Sequence, residues 1–298
     1  MYASCLHTHT EFCDGRGDVE SFCRTAYDRG LAAIGFSAHA PLGKKTGLKT
    51  DWHLKDEDLD RYIDTVNAAR RRWEGKLRVY LGLEIDYIKG LTGPADRDFK
   101  ALDLDYCIGS AHYIFPPKGG EPFTVDNDAE AFKRDLDRHF PGDGEGMAEA
   151  YWDAVEEMLS LGGFDILGHL DLVMKNNQSG EYFDPKGDRY RRRIARIAGL
   201  AARSGAVVEI NTGGINRGKT RDPYPSPELL RLLRQEGAPI TITADAHEPV
   251  HLGGNYGLAR RLLLEAGYAE VSEFAGKGKG WEKIPITEDD GNSRQSAL

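Results

Sequence analysis

"ASCLHTH" (residues 3–9) is a short apolar stretch that ends in two histidines one residue apart. Alternate residues of an extended strand face the same side, so His7 and His9 can both reach one ion. The stretch therefore reads as a strand with ligands at its C-terminal end. Six further β-branched or apolar runs share that form: "AAIGFSAH" (32–39), "RVYLGLEI" (78–85), "DYCIGSAH" (105–112), "FDILGHL" (164–170), "AVVEINT" (206–212) and "PITITADAH" (239–247). Their C-terminal ends supply His39, Glu84, His112, His169, and Asp245 with His247.

Helix patterns separate the runs. "DRYRRRIARIAGLAARSG" has Asp188 as its expected cap, Ile194, Ile197 and Ala201 on one stripe, and Gly205 as a stop. "SPELLRLLRQEG" has Ser226 at the cap, Pro227 in the first turn and Gly237 past the end. Alternating strands and helices predict an α/β fold with a parallel sheet. In such folds the C-terminal strand ends open on one face, where active sites sit. A closed barrel gathers seven such ends around one mouth, whereas an open sheet spreads them along an edge. The ligands favour a barrel.

The 298 residues suit one large α/β domain, expected over 1–275, with an inserted loop and short helix at about 116–146 and a polar tail over 276–298. Against 39 basic residues stand 48 acidic ones, and the formal charge of -9 argues against nucleic acid or an anionic membrane as partner. Four cysteines without a CxxC pair point to a reducing compartment. With no apolar core in "MYASCLHTHTEF" and no long apolar run, a cytoplasmic protein is expected.

Imidazoles mixed with carboxylates suit Zn, Fe, Mn or Ni rather than Ca or Mg. Asp14, from "EFCDG", brings the candidate metal ligands to nine: His7, His9, Asp14, His39, Glu84, His112, His169, Asp245 and His247. One ion cannot use them all. Two or three divalent transition-metal ions follow, with Glu84 suited to bridge, and such centres activate water and stabilise charge on a phosphoryl or acyl group. His53 and His139 lie outside strand ends and are expected at the surface. His251 is left out of the site, and Cys13 is expected to be a small buried filler.

Seven motifs in order, "HTHTEFCDG", "FSAHAP", "GLEIDY", "GSAHYI", "GHLDL", "EINTGG" and "ADAH", resemble those of the PHP (polymerase and histidinol phosphatase) superfamily. The likeness spans residues 5 to about 265, and its wording is closest to the stand-alone histidinol-phosphatase branch. It implies a distorted seven-stranded (β/α)7 TIM-like barrel and a trinuclear metal site. It implies that His7, His9, Glu84 and Asp245 hold the first ion. Glu84 would bridge to a second ion on His112 and His169, with His39 and His247 on the third. Some relatives place a His just after the first motif, where this chain has "CDGRG", and Asp14 is assigned that role.

The activity implied is hydrolysis of a small phosphomonoester to release phosphate, with L-histidinol phosphate of histidine biosynthesis as substrate. A metal-bound hydroxide would attack phosphorus in line, and His247 or Asp245 would protonate the leaving alkoxide. Arg217, after the sixth run, can bind phosphate with two parallel hydrogen bonds, and Lys175 in "DLVMKNN" is a second clamp. The alternatives are a family phosphoesterase for nucleotides, oligonucleotides or sugar phosphates, and a non-catalytic metal-binding module. A third, an NTPase, is raised by "GGINRGKT" (213–220), which fits the phosphate-loop pattern. That loop must run straight into a helix, and prolines 223, 225 and 227 oppose one starting at Lys219.

Overall fold

A computed structural model describes residues 4–287. The strands in chain order are β1 (Ala33–His39), β2 (Arg78–Asp86), β3 (Tyr106–Ser110), β4 (Tyr113–Ile114), β5 (Phe123–Thr124), β6 (Ile166–Leu167), β7 (Val207–Asn211), β8 (Ile240–Thr243), β9 (Glu270–Gly276) and β10 (Gly280–Pro285). Six of them form one parallel sheet in the order β1-β2-β3-β6-β7-β8. The register sets His39 beside Glu84 and Glu84 beside Ile108, so neighbouring strands deliver their ligands at one level. Every residue of β1, β7 and β8 is buried, as expected for parallel strands covered on both faces.

Helices supply the cover. Leu59–Arg72 buries Tyr62, Val66 and Ala69, four and three residues apart on one face. Asp188–Arg203 buries Ile194, Ile197 and Ala201, the expected stripe. Its cap is Gly187, not Asp188, which is instead the first helical residue and brings a negative charge to the N-terminal turn. Each fully buried Leu, Ile or Phe in these layers contributes about 1.5–3 kcal/mol.

The sheet is curled around side chains that fill its interior. Tyr106 occupies the space left by two glycines, because a Cβ at Gly82 would lie 2.6 Å from its Cζ and one at Gly35 2.3 Å from its hydroxyl. That hydroxyl crosses to donate to the Leu6 carbonyl. Phe274 of β9 then packs on Tyr80 and Tyr106 at ring-centroid distances of 5.0 and 5.8 Å. The β9–β10 hairpin thus covers the end of the sheet opposite the C-terminal strand ends.

Two expectations need correction. Residues 4–9, the described part of the first run, do not form a seventh regular strand. Cys5 bridges Ile34 and Thr8 bridges Ala246, one parallel bridge on each side. The ladder with β1 breaks at an offset: the Gly35 N–H donates to Cys5 O at 2.8 Å and the Ser37 N–H to Thr8 O at 3.0 Å, so a three-residue step faces a two-residue step of β1. The expected tail from 276 onward instead forms β10 over Gly280–Pro285, paired antiparallel with β9. Gly276, Gly278 and Gly280, with φ of 116°, 81° and 74°, make the turn possible. Residues 288–298 of that expected tail lie outside the described residues. Among the described residues no helix is long and apolar enough to cross a membrane.

Candidate metal centre

Glu84, near the end of β2, is the hub. Its Oε2 lies 2.9 Å from His39 Nδ1, 3.2 Å from His7 Nε2 and 3.4 Å from His9 Nε2. Its Oε1 accepts from Ser110 at 2.6 Å and faces His169 Nε2 at 2.8 Å and His112 Nε2 at 3.7 Å. Asp245 joins from the end of β8, with Oδ1 3.3 Å from His9 Nε2 and 3.7 Å from His7 Nε2. Asp14 comes from the loop after the first motif, with Oδ2 3.1 Å from His247 Nε2 and Oδ1 3.7 Å from both His9 Nδ1 and His39 Nε2. The nine expected residues meet at one place.

These groups suit cations better than they suit one another. Buried and without a hydrogen-bond partner are Nε2 of His7, Nε2 of His9, Nδ1 of His39 and Oε2 of Glu84. Buried polar atoms left so cost free energy, and a cation that accepts their lone pairs removes that cost. Clusters able to hold an ion are His7, His9 and Asp245; His7, Glu84 and His169; and His9, Asp14, His39 and His247. His112 falls instead with His39 and Asp86 in a fourth.

Electrostatics follow from the crowding. Burial opposes the charge on Glu84, yet the imidazoles of His39, His7 and His112 and the hydrogen bond from His169 hold its carboxyl well below the usual range. Burial, with repulsion from His247 and His39, lowers the His9 imidazole to about 3. Burial also works against protonation of His112, but Asp86 and then Glu84 outweigh it and raise that imidazole to about 10. Burial and the charge of Asp14 push the Cys13 thiol up to about 12, so a neutral thiol sits 3.5 Å from His9 Nδ1.

Two carboxylates that sequence reasoning missed orient the imidazoles. Glu209 of β7 is fully buried and faces His7 Nδ1 at 2.9 Å. It also accepts from the His169 N–H at 2.7 Å and from Asn211 and Thr243 at 2.8 Å each. Asp86, two residues beyond Glu84, faces His112 Nδ1 at 2.5 Å. A carboxylate on one ring nitrogen leaves the other as a ligand and fixes the ring's direction. Both carried a signal: a carboxylate within a buried strand needs a partner, and Asp86 shares a strand face with Glu84.

The centre forms the floor of a cleft of about 630 Å³. Arg217 reaches it from the turn after the Gly213–Asn216 helix, donating from Nη2 to Asp245 Oδ2 at 3.2 Å and from Nη1 to His247 Nδ1 at 2.5 Å. Lys175 also lines the cleft, but its ammonium donates to the carbonyl of Asp126 at 2.5 Å and to the same residue's carboxylate. Asp126 and Asp128, from the expected insertion, also line the cleft. No helix follows Thr220; the next begins at Pro227. Gly213 serves another purpose: it packs against Asp245, where an added Cβ would lie 2.7 Å from the Asp245 Cβ.

The outlying histidines differ from expectation in one case. His53 is not on the surface: only 7% exposed, it is drawn in by Asp86, with Nε2 2.7 Å from Oδ2. His139 is half-buried and stacks on Phe123, and His251 lines the cleft mouth.

Comparison with known proteins agrees with this geometry. The PHP domain model matches residues 6–213. A Deinococcus radiodurans protein named "Probable histidinol-phosphatase" is 30% identical over 267 residues, covering 89% of this chain and 94% of its own. A solved structure from Listeria monocytogenes aligns with a TM-score of 0.76 at 23% identity, covering 86% of this chain and 99% of that one. The Lactococcus lactis histidinol phosphate phosphatase, solved with zinc, L-histidinol and phosphate, aligns with a TM-score of 0.66 at 20% identity, covering 94% and 99%. With the family model spanning most of the chain and a relative at 30% identity along nearly all of it, the protein belongs to the PHP domain family.

Proposed function

We propose that this chain is a metal-dependent histidinol-phosphate phosphatase. The observation that carries the reading is the convergence of Glu84, Asp245, Asp14 and six imidazoles on the floor of one cleft that also holds Arg217. Relatives named for this activity support the substrate. His7, His9 and Asp245 would hold one ion, Glu84, His169 and His112 a second, and Asp14, His39 and His247 a third, with zinc, iron or manganese suited to such donors. Bound there, the ions lower the pKa of water toward 7 and neutralise charge on the phosphoryl oxygens.

The protein's own groups do the rest. Arg217, oriented by Asp245, offers two parallel N–H donors to the phosphoryl oxygens. Arg217, His7 and the nearby His9 ring overcome the burial cost of charge on Asp245 and hold it well below the usual carboxylate range. Asp245 is therefore no source of a proton at rest. The Nδ1 of His247 accepts from Arg217 and so carries no proton to give either.

The same reading takes residues 4–9 as a seventh stave that closes the curled sheet into a barrel. On one side the Gly35 N–H donates to Cys5 O at 2.8 Å, and on the other the His9 N–H donates to Ala246 O at 2.9 Å. Residues 1–275 then form the catalytic unit, with 116–146 as one wall of its cleft, working in the cytoplasm on a small phosphomonoester.

Elemental analysis combined with phosphate release tests the reading. Two or three ions per chain, and activity on L-histidinol phosphate that a chelator removes and added metal restores, are expected. Fewer than two ions in active protein would refute it.

A further inference from the structure

We propose that His53 is a positioning residue of the metal centre, acting through Asp86 on His112. The inference rests on reading the cluster as a metal site. His53 lies on the loop between β1 and the Leu59–Arg72 helix, away from every strand end. Its ring is nonetheless buried and held at both nitrogens: Nε2 is 2.7 Å from Asp86 Oδ2, and Nδ1 is 2.6 Å from Thr50 Oγ1. An ionised carboxylate only accepts, so His53 donates through Nε2–H and the Thr50 hydroxyl donates to Nδ1.

Asp86 therefore carries an imidazole on each oxygen, His53 on Oδ2 and His112 on Oδ1. A carboxylate turns freely about its terminal torsion unless both oxygens are engaged. With His53 on one oxygen, the other stays aimed at His112 Nδ1, which keeps His112 Nε2 toward Glu84. Trp52 holds His53 in place, with ring centroids 3.8 Å apart, and sets its edge against the His39 ring at 4.7 Å and 85°. One loop thus braces two of the metal-facing imidazoles. A partner bonded directly to a ligand, as Asp86 is to His112, typically governs about 10- to 100-fold in affinity, and His53 acts one bond behind it.

Metal-depleted full-length protein titrated with cobalt(II), read by its visible absorption bands and by competition with a chelator, tests the assignment. His53→Ala should weaken one class of ion by up to about 10-fold, the low end of the range for a ligand's immediate partner, and alter its bands, leave the remaining ions at wild-type affinity, and keep cooperative melting. His53→Gln, whose amide can donate to Asp86, should recover part of the loss. Wild-type affinities in His53→Ala would overturn the proposal. So would an equal loss at every ion that His53→Gln shares, which would make His53 a packing residue. A wild-type protein that binds no cobalt would instead refute the metal centre itself.

Discussion

Gly213→Ala separates two explanations of the glycine pair in "EINTGG". A methyl there would lie 2.7 Å from Asp245 Cβ and 3.0 Å from both Ala244 O and Asn211 Oδ1. Carbon atoms settle at about 3.5–4.0 Å, so the two groups must part by about 1 Å. Neither yields readily. Asp245 is held at φ 44°, a left-handed conformation unusual outside glycine, and the Gly213 N–H donates to Asn211 Oδ1 at 2.8 Å. Asp245 takes most of the shift, carrying its carboxylate away from His9 Nε2 and Arg217 Nη2. Overpacking of this kind costs about 1–3 kcal/mol, and a misplacement of about 1 Å at reacting groups costs roughly 100-fold in kcat. Thermal melting, metal content and steady-state phosphate release on L-histidinol phosphate measure all three. A variant with wild-type kcat and full metal content would refute the argument that Gly213 exists to seat Asp245.

Other expectations follow from the same geometry. Arg217→Lys replaces a forked donor with a point charge, and losing a charge-assisted hydrogen bond worth about 1.5–3 kcal/mol should raise KM about 10- to 100-fold. An unchanged KM would remove Arg217 from the phosphate. Metal loading at pH 7 should release protons. His112 is raised to about 10, and His7 and His39 are raised as well, because in each the neighbouring carboxylates outweigh burial. Below those values the rings carry protons, and ligands must shed them, so apparent affinity should fall as pH falls. Calorimetry in buffers of different ionisation heat reads the release directly, and none would contradict the ligand assignment.

The strand-end rule made the site legible before any coordinates. His7, His9, His39, Glu84, His112, His169, Asp245 and His247 all follow or end short apolar runs, and parallel packing brings such ends together. Glu209 and Asp86 were readable in principle, since each is a carboxylate in or at the end of a strand that buries it. His53 was not, because a loop between a strand and a helix has no periodicity from which to infer that its ring turns inward to Asp86. Residues 4–9 mislead for a local reason: the step from Cys5 to Thr8 carries one residue more than the Gly35–Ser37 step it faces, which breaks the ladder with β1. The final hairpin is hidden by "GKGKGWEKIP", whose polar residues resemble a tail, while Phe274 and its two tyrosine neighbours supply the packing that fixes it.

The central claim is tested most directly by kcat/KM of the metal-loaded protein for L-histidinol phosphate beside a nucleoside monophosphate and a sugar phosphate. The predicted result is a preference for L-histidinol phosphate of roughly 100-fold or more, the scale on which a site with polar groups matched to its substrate discriminates. Equal rates across the panel, or a preference for the nucleotide, would contradict it.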